Sequence, residues 1–177
     1  GSTLTKYQYL DKKDRAFISR LFKGVLEYQI DLDHVIGQFS SVKINKMKRP
    51  VRILLRMGAY QILKMDSVPD SAACNETVKL AKKRHLSSLS GFINGVLRQI
   101  SRQKDSISMP DPIKEPKAYL SVTYAMPEWI INRWLKAYGF TQTEKMCRGT
   151  LGRQMLTLRV RQSAEKEAIC ASLEGAG

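Results

Sequence analysis

The sequence predicts a mainly α-helical protein, with an all-helical domain followed by a small, incomplete α+β subdomain. Apolar residues recur with the helical period of about 3.6 through most of the first hundred positions. Pro110, Pro112 and Pro116 then interrupt this period within polar sequence, and one alternating segment typical of a strand follows at 155–161. The 177 residues suffice for one compact domain or two small ones.

Five amphipathic helices are expected in the first domain, residues 1–104. Asp14 is the expected cap of the first helix, and Asp31 or Asp33 caps a short second helix that ends near Phe39. The apolar positions of the first helix share one face and predict its buried side: Phe17, Ile18, Leu21, Val25 and Tyr28.

The third helix follows Arg49 and Pro50, because proline is accepted in a first helical turn. Its apolar stripe includes Gly58, which costs about 1 kcal/mol relative to alanine and indicates that a neighbouring helix approaches closely. A break at residues 67–70 precedes a fourth helix over residues 71–84. Ser90 is the expected cap of the fifth helix, whose stripe is Phe92, Ile93, Val96, Leu97 and Ile100.

Residues 105–118 read as an extended linker, and residues 119–177 as the second, smaller unit. An amphipathic helix opens at Pro127 and ends at Gly139. Its aromatic residues are expected in a core: Trp129, Trp134 and Tyr138. A short helix at 141–147, the strand and a last helix capped by Ser163 follow. Because one strand and one helix are half of a supersecondary unit, we expect the sequence to stop before this unit is complete.

Basic residues are concentrated in two stretches that contain no acidic residue, between His34 and Met65 and between Thr77 and Lys104. The formal net charge is +14, and phosphate is its natural counter-charge. Four cations of the third helix are expected to form one solvent-facing ridge. The predicted RNA-binding residues are Lys48, Arg49, Arg52, Arg56, Lys79, Lys82, Lys83, Arg98, Arg102, Arg159 and Arg161.

The motifs of common catalytic and metal sites are absent from the sequence, so we predict no catalytic, cofactor-binding or metal-ligating residue in it. Its cysteines are odd in number and widely spaced, which favours a reducing cytoplasm, and no apolar run is long enough to span a membrane. We expect Cys74 in the core and His34 and His85 as surface or partly packed histidines. Asn75 and Asn94 are expected to make local hydrogen bonds to the backbone or to a neighbouring helix.

Six segments follow one another along the first domain: residues 14–17 (DRAF), 24–26 (GVL), 54–63 (LLRMGAYQIL), 68–70 (VPD), 75–82 (NETVKLAK) and 91–98 (GFINGVLR). In this order they resemble the NusB-like domain that opens the bacterial Sun/Fmu proteins. Residues 124–134, 138–139 and 157–160 resemble the RNA-binding subdomain that precedes the catalytic fold of that family. The family begins with one more helix ahead of Asp14, and its usual asparagine is replaced by Arg161.

The resemblance implies the RNA-binding N-terminal portion of a methyltransferase that modifies cytosine C5 of 16S ribosomal RNA. It implies S-adenosylmethionine as the cofactor of the intact protein and a catalytic domain, carrying Pro-Cys and Thr-Cys motifs, that follows Gly177. Because Cys74, Cys147 and Cys170 stand in no such motif, this portion is expected to be inactive alone and to hold no cofactor. The expected partners are 16S ribosomal RNA and the catalytic domain in cis, with no membrane or metal.

Two alternatives belong to other functional classes. A stand-alone NusB-like transcription antitermination factor would bind RNA and protein, although such proteins end near the fifth helix. A protein-interaction module could instead present the basic face to an acidic partner.

Overall fold

The computed structural model describes residues 9–151 and 166–175, and all regular secondary structure within these ranges is helical. The mainly α fold is therefore confirmed, whereas the predicted strand at 155–161 and the cap Ser163 lie outside the described residues. The helices are α1 Lys12–Glu27, α2 Gln29–Phe39, α3 Arg49–Lys64, α4 Asp70–Lys83, α5 Ser90–Arg102, α6 Pro116–Thr123, α7 Glu128–Leu151 and α8 Lys166–Gly175. Short 3-10 turns occupy Ile44–Lys46, Ser87–Leu89 and Lys104–Ser106.

The first core lies among helices α1 to α5. Helices α3, α4 and α5 pack against one another, and α1 and α2 lie against α3. The apolar stripes predicted for α3 and α5 point into this core, since it fully buries Leu55 of α3 and Ile93, Leu97 and Ile100 of α5. Leu32 and Ile36 of α2 are fully buried in the same core. Phe17, predicted in the buried face of α1, is instead 39% exposed.

Gly58 lies where α3 meets both α4 and α5. A Cβ atom added here would stand 2.6 Å from Leu97 Cδ1 and 3.0 Å from Thr77 Oγ1. These distances are too short for ordinary van der Waals contact, so the glycine allows the helices to approach. The close approach predicted at Gly58 is confirmed.

The predicted caps of α1, α2 and α5 are wrong, and α2 begins upstream of both of its predicted caps. Helix α1 is capped by Asp11, whose Oδ1 accepts a hydrogen bond of 2.7 Å from the backbone N–H of Asp14. Asp14 therefore lies inside the first turn, where a negative charge also favours the helix. Ser90 does not cap α5, because its hydroxyl donates to the carbonyl oxygen of Ser87 at 2.6 Å, within the preceding 3-10 turn.

Helix α6 begins at Pro116, inside the segment that the sequence predicts to be an extended linker. The preceding residues pass beside α2, because the Ser108 carbonyl lies 2.8 Å from His34 Nε2 and accepts a hydrogen bond of 3.0 Å from Gln38 Nε2. His34 is therefore a partly packed histidine, as predicted. These contacts fasten the segment between α5 and α6 to the first helical unit.

Helices α6 and α7 enclose a second core. Its buried members are Leu120, Tyr124, Ile131 and Cys147, with Tyr119, Trp134, Leu135 and Phe140 packed around them. Helix α7 is interrupted at Gly139, which has φ 69° and ψ 178°, a conformation that suits only glycine. The helix end predicted at this glycine is confirmed, and helical structure resumes as far as Leu151 rather than stopping at 147.

The aromatic residues of α7 do not share the expected core. Trp134 is half-buried against the second core, but Trp129 is 69% exposed and Tyr138 is 58% exposed. The core-facing side of this helix is formed by Ile131, Trp134 and Leu135, and Trp129 lies on a different side of the helix. The prediction that all three aromatic residues lie in the core is wrong.

Candidate nucleic-acid interface

The four cations predicted to form a ridge on α3 have different environments. Lys48 and Arg49 are exposed at the start of the helix, and Arg52 is half-buried. The guanidinium of Arg56 donates from Nε and from a terminal nitrogen to the two carboxylate oxygens of Asp33, each at 2.7 Å. Because the Arg56 side chain is only 11% exposed, the prediction that it belongs to a solvent-facing ridge is wrong.

Helix α2 supplies the counter-charges that the acid-free stretch lacks. It begins at Gln29, upstream of Asp31 and Asp33, so neither aspartate caps it as predicted. Asp31 pairs with Lys64 at 3.1 Å, and Asp33 pairs with Arg56. Two of the cations on α3 are therefore ion-paired within the fold.

An open groove between α4 and α5 brings together a different group of the predicted cations. One part, of about 530 Å³, is lined by Pro69, Ser71, Ala72, Asn75, Glu76, Val78, Lys79, Asn94 and Arg98. A second part, of about 240 Å³, shares Ser71, Asn75 and Arg98 with the first and extends to Cys74, Ser101 and Arg102. We call this surface the α4–α5 groove. Its lining includes Lys79, Arg98 and Arg102 but none of the α3 cations.

Arg98 and Arg102 are exposed, and neither guanidinium forms an ion pair with an acidic residue in the described part of the chain. They stand at i and i+4 on α5, and therefore on one face of that helix. Lys79 does pair with Glu76 at 2.7 Å, but both side chains are about two-thirds exposed, and such surface pairs contribute little. An anion entering the groove would meet two uncompensated arginines and one readily available lysine.

The polar lining also includes two asparagines, Asn75 and Asn94, for which the sequence predicts only local hydrogen bonds. Asn94 Oδ1 accepts from Arg98 Nε at 3.3 Å, so the two groove residues are linked along the surface of α5. Asn75 is exposed on α4 and lines both parts of the groove. Asparagine has a low helix propensity, so an asparagine inside each of two neighbouring helices is the sequence signal that could have identified Asn75 and Asn94 as groove residues.

Asp70, at the start of α4, contacts the end of α5 but is not among the residues that line the groove. Its Oδ2 accepts from the Ser101 hydroxyl at 2.8 Å and lies 3.4 Å from Lys104 Nζ. Both of these partners come from the end of α5 and the turn that follows, so Asp70 holds the start of α4 against that region. The Asp70 carboxylate is therefore occupied by Ser101 and Lys104, and it forms no ion pair with Arg98 or Arg102.

The remaining predicted residues do not converge on this groove. Lys82 and Lys83 are exposed on α4 and are not part of the lining, whereas Arg159 and Arg161 lie outside the described residues. His85 is exposed just after α4, with φ 59°. This left-handed residue ends the helix, because the next N–H, that of Leu86, returns to the Ala81 carbonyl at 3.0 Å.

The groove offers hydrogen-bond donors and positive charge, and its lining thiol, Cys74, is disfavoured as a thiolate nucleophile. Burial raises the pKa of the Cys74 thiol, an effect that nearby Arg98 opposes and Asp70 reinforces. Burial likewise raises the pKa of Cys147, which lies in the second core. The expected core position of Cys74 is confirmed. Guanidinium, ammonium and amide groups arranged in this way can bind phosphates and the edges of unpaired bases.

Two further searches concern the described residues alone. In residues 9–151 and 166–175, no three histidine, cysteine or acidic side chains are grouped so as to hold a metal ion. None of the helices in these ranges is long and apolar enough to cross a membrane.

Comparison with known proteins assigns both parts of the chain. Residues 2–102 match the NusB family, which is more than half of the sequence. The chain belongs to the NusB family. Residues 126–177 match the ferredoxin-like domain described as Methyltr_RsmF/B-like, so the NusB region is followed by a second family segment.

Curated relatives align with most of the chain. The chain is 36% identical over 160 residues to "Probable ribosomal RNA small subunit methyltransferase B" of Bacillus subtilis, covering 90% of this chain and 35% of the relative. It is 33% identical over 138 residues to the protein of that name in Synechocystis, with coverages of 78% and 30%. Its identity to "Ribosomal RNA small subunit methyltransferase B" of Escherichia coli O1:K1 is 32% over 171 residues, with coverages of 96% and 38%. The chain thus spans about a third of these curated relatives.

Proposed function

We propose that this chain is the RNA-binding N-terminal region of an S-adenosylmethionine-dependent methyltransferase that modifies cytosine C5 of 16S ribosomal RNA in the cytoplasm. The observation that carries the proposal is the α4–α5 groove, where Arg98 and Arg102 lack acidic partners in the described part of the chain. The groove holds the RNA, while a catalytic domain in the rest of the protein acts on the target base.

The comparisons support this proposal at two levels. Membership in the NusB family accounts for the helical unit that forms the groove. The names of the relatives, which span the NusB and ferredoxin-like segments together, associate this domain order with methylation of small-subunit ribosomal RNA.

Methyl transfer itself is assigned to the catalytic domain. S-adenosylmethionine would supply the methyl group there, and the resemblance to Sun/Fmu proteins implies catalytic cysteines in Pro-Cys and Thr-Cys motifs. The cysteines of the described residues do not fit that role, because Cys74 and Cys147 are buried with raised pKa values and the exposed Cys170 stands in neither a Pro-Cys nor a Thr-Cys motif. No step of the methylation is therefore derived from this chain.

The proposal predicts a salt-dependent contact made by the groove. A stem-loop RNA with an unpaired loop is titrated with the chain at about 50 to 200 mM salt, and fluorescence anisotropy gives the affinity. Arg98→Gln combined with Arg102→Gln is expected to reduce the slope of log affinity against log salt by about 1.4 to 1.8, because each lost phosphate contact removes about 0.7 to 0.9.

A matched control removes two positive charges elsewhere. Lys12 and Lys13 are exposed at the start of α1, so their joint replacement by glutamine is expected to leave the slope close to that of the parent. An equal loss in both double variants would mean that net charge rather than the groove binds RNA. If neither double variant lowers the salt slope, the groove does not contact the RNA.

A further inference from the structure

The first half of α7 has two different faces. Ile131, Trp134 and Leu135 turn towards the second core. Trp129 stands on another side of the helix with 69% of its surface exposed. Arg133 and Lys136 follow Trp129 at i+4 and i+7, and therefore share its face, about 6 and 10.5 Å further along the helix axis. We call these three residues the α7 face.

The charges of the α7 face are not balanced by the surrounding fold. No acidic residue occurs in the sequence between Trp129 and Thr143. Glu128, which directly precedes Trp129 in the sequence, pairs with Lys117 at 2.7 Å. Neither Arg133 nor Lys136 forms an ion pair with any other residue that the structure describes.

An exposed indole next to two free cations on the same helix face is chemically suited to one kind of occupant. An aromatic side chain stacks on an unpaired nucleobase, because every base has a π face, and the cations further along the helix bind the adjoining phosphates. A purely apolar protein surface would bury the indole but would leave Arg133 and Lys136 desolvated without partners.

We propose that the α7 face is a single-stranded RNA subsite, in which Trp129 stacks on one unpaired base and Arg133 and Lys136 bind the adjoining phosphates. The subsite rests on the proposed RNA-binding function and is separate from the α4–α5 groove. The groove binds RNA by charge and polar groups, whereas the α7 face adds a stacking contact that requires an unpaired nucleotide.

The two tryptophans of the chain provide a direct readout. Trp134→Phe leaves Trp129 as the sole indole, and Trp129→Phe leaves the half-buried Trp134. Each variant is titrated with an unstructured RNA of about ten nucleotides, a length typical of single-strand sites. Strong quenching is expected when Trp129 is the reporter and little when Trp134 is, because only a stacked indole loses its emission to the base.

Affinity measurements separate stacking from charge. Trp129→Ala is expected to weaken binding of this RNA about 5- to 150-fold without changing the salt slope, since stacking of one base does not release counterions. Arg133→Gln with Lys136→Gln is expected to lower the slope by about 1.4, because single strands lose about 0.7 for each contact. Trp129 is exposed, so its replacement should leave thermal unfolding unchanged.

The outcomes distinguish this subsite from the proposed function. If Trp129→Ala binds RNA like the parent while Arg98→Gln with Arg102→Gln is impaired, the subsite is wrong and the groove stands. If Trp129 emission changes with protein concentration in the absence of RNA, the face is an interface between copies and the subsite is again wrong. If the parent does not bind RNA at all, both proposals are overturned.

Discussion

Arg56 is expected to act through stability rather than through RNA binding. Its guanidinium forms a bidentate pair with Asp33, in which both nitrogen–oxygen distances are 2.7 Å and the side chains are 11% and 25% exposed. Arg56→Met keeps most of the side-chain length but removes both hydrogen bonds. The carboxylate of Asp33 is then left partly buried between α2 and α3 without its partner.

The expected cost follows from this geometry. Hydrogen bonds to charged groups contribute about 1.5 to 3 kcal/mol, and breaking a fully buried ion pair costs about 3 to 5 kcal/mol. Because Asp33 retains access to water, we expect a loss of about 2 to 3 kcal/mol in the free energy of unfolding. For a chain of this size, each kcal/mol lowers the melting temperature by about 2 to 4 °C. The melting temperature should therefore fall by about 4 to 12 °C.

Urea unfolding followed by circular dichroism measures this change, and Arg49→Gln is the matched control. Arg49 is an exposed cation of the same helix, so its loss should alter the free energy of unfolding by less than about 0.5 kcal/mol. Replacing Arg56 by Met and Asp33 by Leu together should recover part of the loss, because no unpaired charge remains. The reasoning is refuted if Arg56→Met unfolds like the parent but binds RNA less tightly.

Two further predictions concern packing and the thiols. Gly58→Ala should destabilise the fold by about 1 to 2 kcal/mol, because the added Cβ meets Leu97. Gly95→Ala should stabilise the fold by about 0.5 to 1 kcal/mol, because nothing lies within 4 Å of an added Cβ there. Urea unfolding measures both changes, and stabilisation in both variants would contradict the packing argument. A thiol reagent at neutral pH should modify Cys170 first. Because burial raises the pKa values of Cys74 and Cys147, the free energy of unfolding should fall above about pH 8.5, as the unfolded thiols ionise, and replacing both by alanine should flatten that fall.

Helical periodicity predicted most of the first domain because amphipathic patterns report directly on burial. The stripe of α3 and the close approach at Gly58 followed from the pattern and were confirmed. The predicted cap of α1 was wrong because Asp11 and Asp14 are both good capping residues only three positions apart, and the backbone conformation decides between them. Helix α6 was missed because Pro116 suits a first helical turn as well as a linker.

The candidate interface was harder to predict than the fold, because ion pairing depends on contacts between helices. Counting charges along α3 indicated a free ridge, but Asp31 and Asp33 of α2 neutralise Lys64 and Arg56. The tertiary structure thus divides the net charge into cations that hold helices together and cations that remain free.

Arg98, Arg102, Arg133 and Lys136 belong to the free class within the described residues, and each pair stands beside groups that can read an RNA base. Asn75 and Asn94 accompany the first pair, and Trp129 accompanies the second. Charge alone would bind any polyanion, so the amides provide the means to read base edges and the indole provides the means to select unpaired nucleotides. An interface built in this way predicts that heparin competes for the arginines of the groove but does not reproduce the quenching of Trp129.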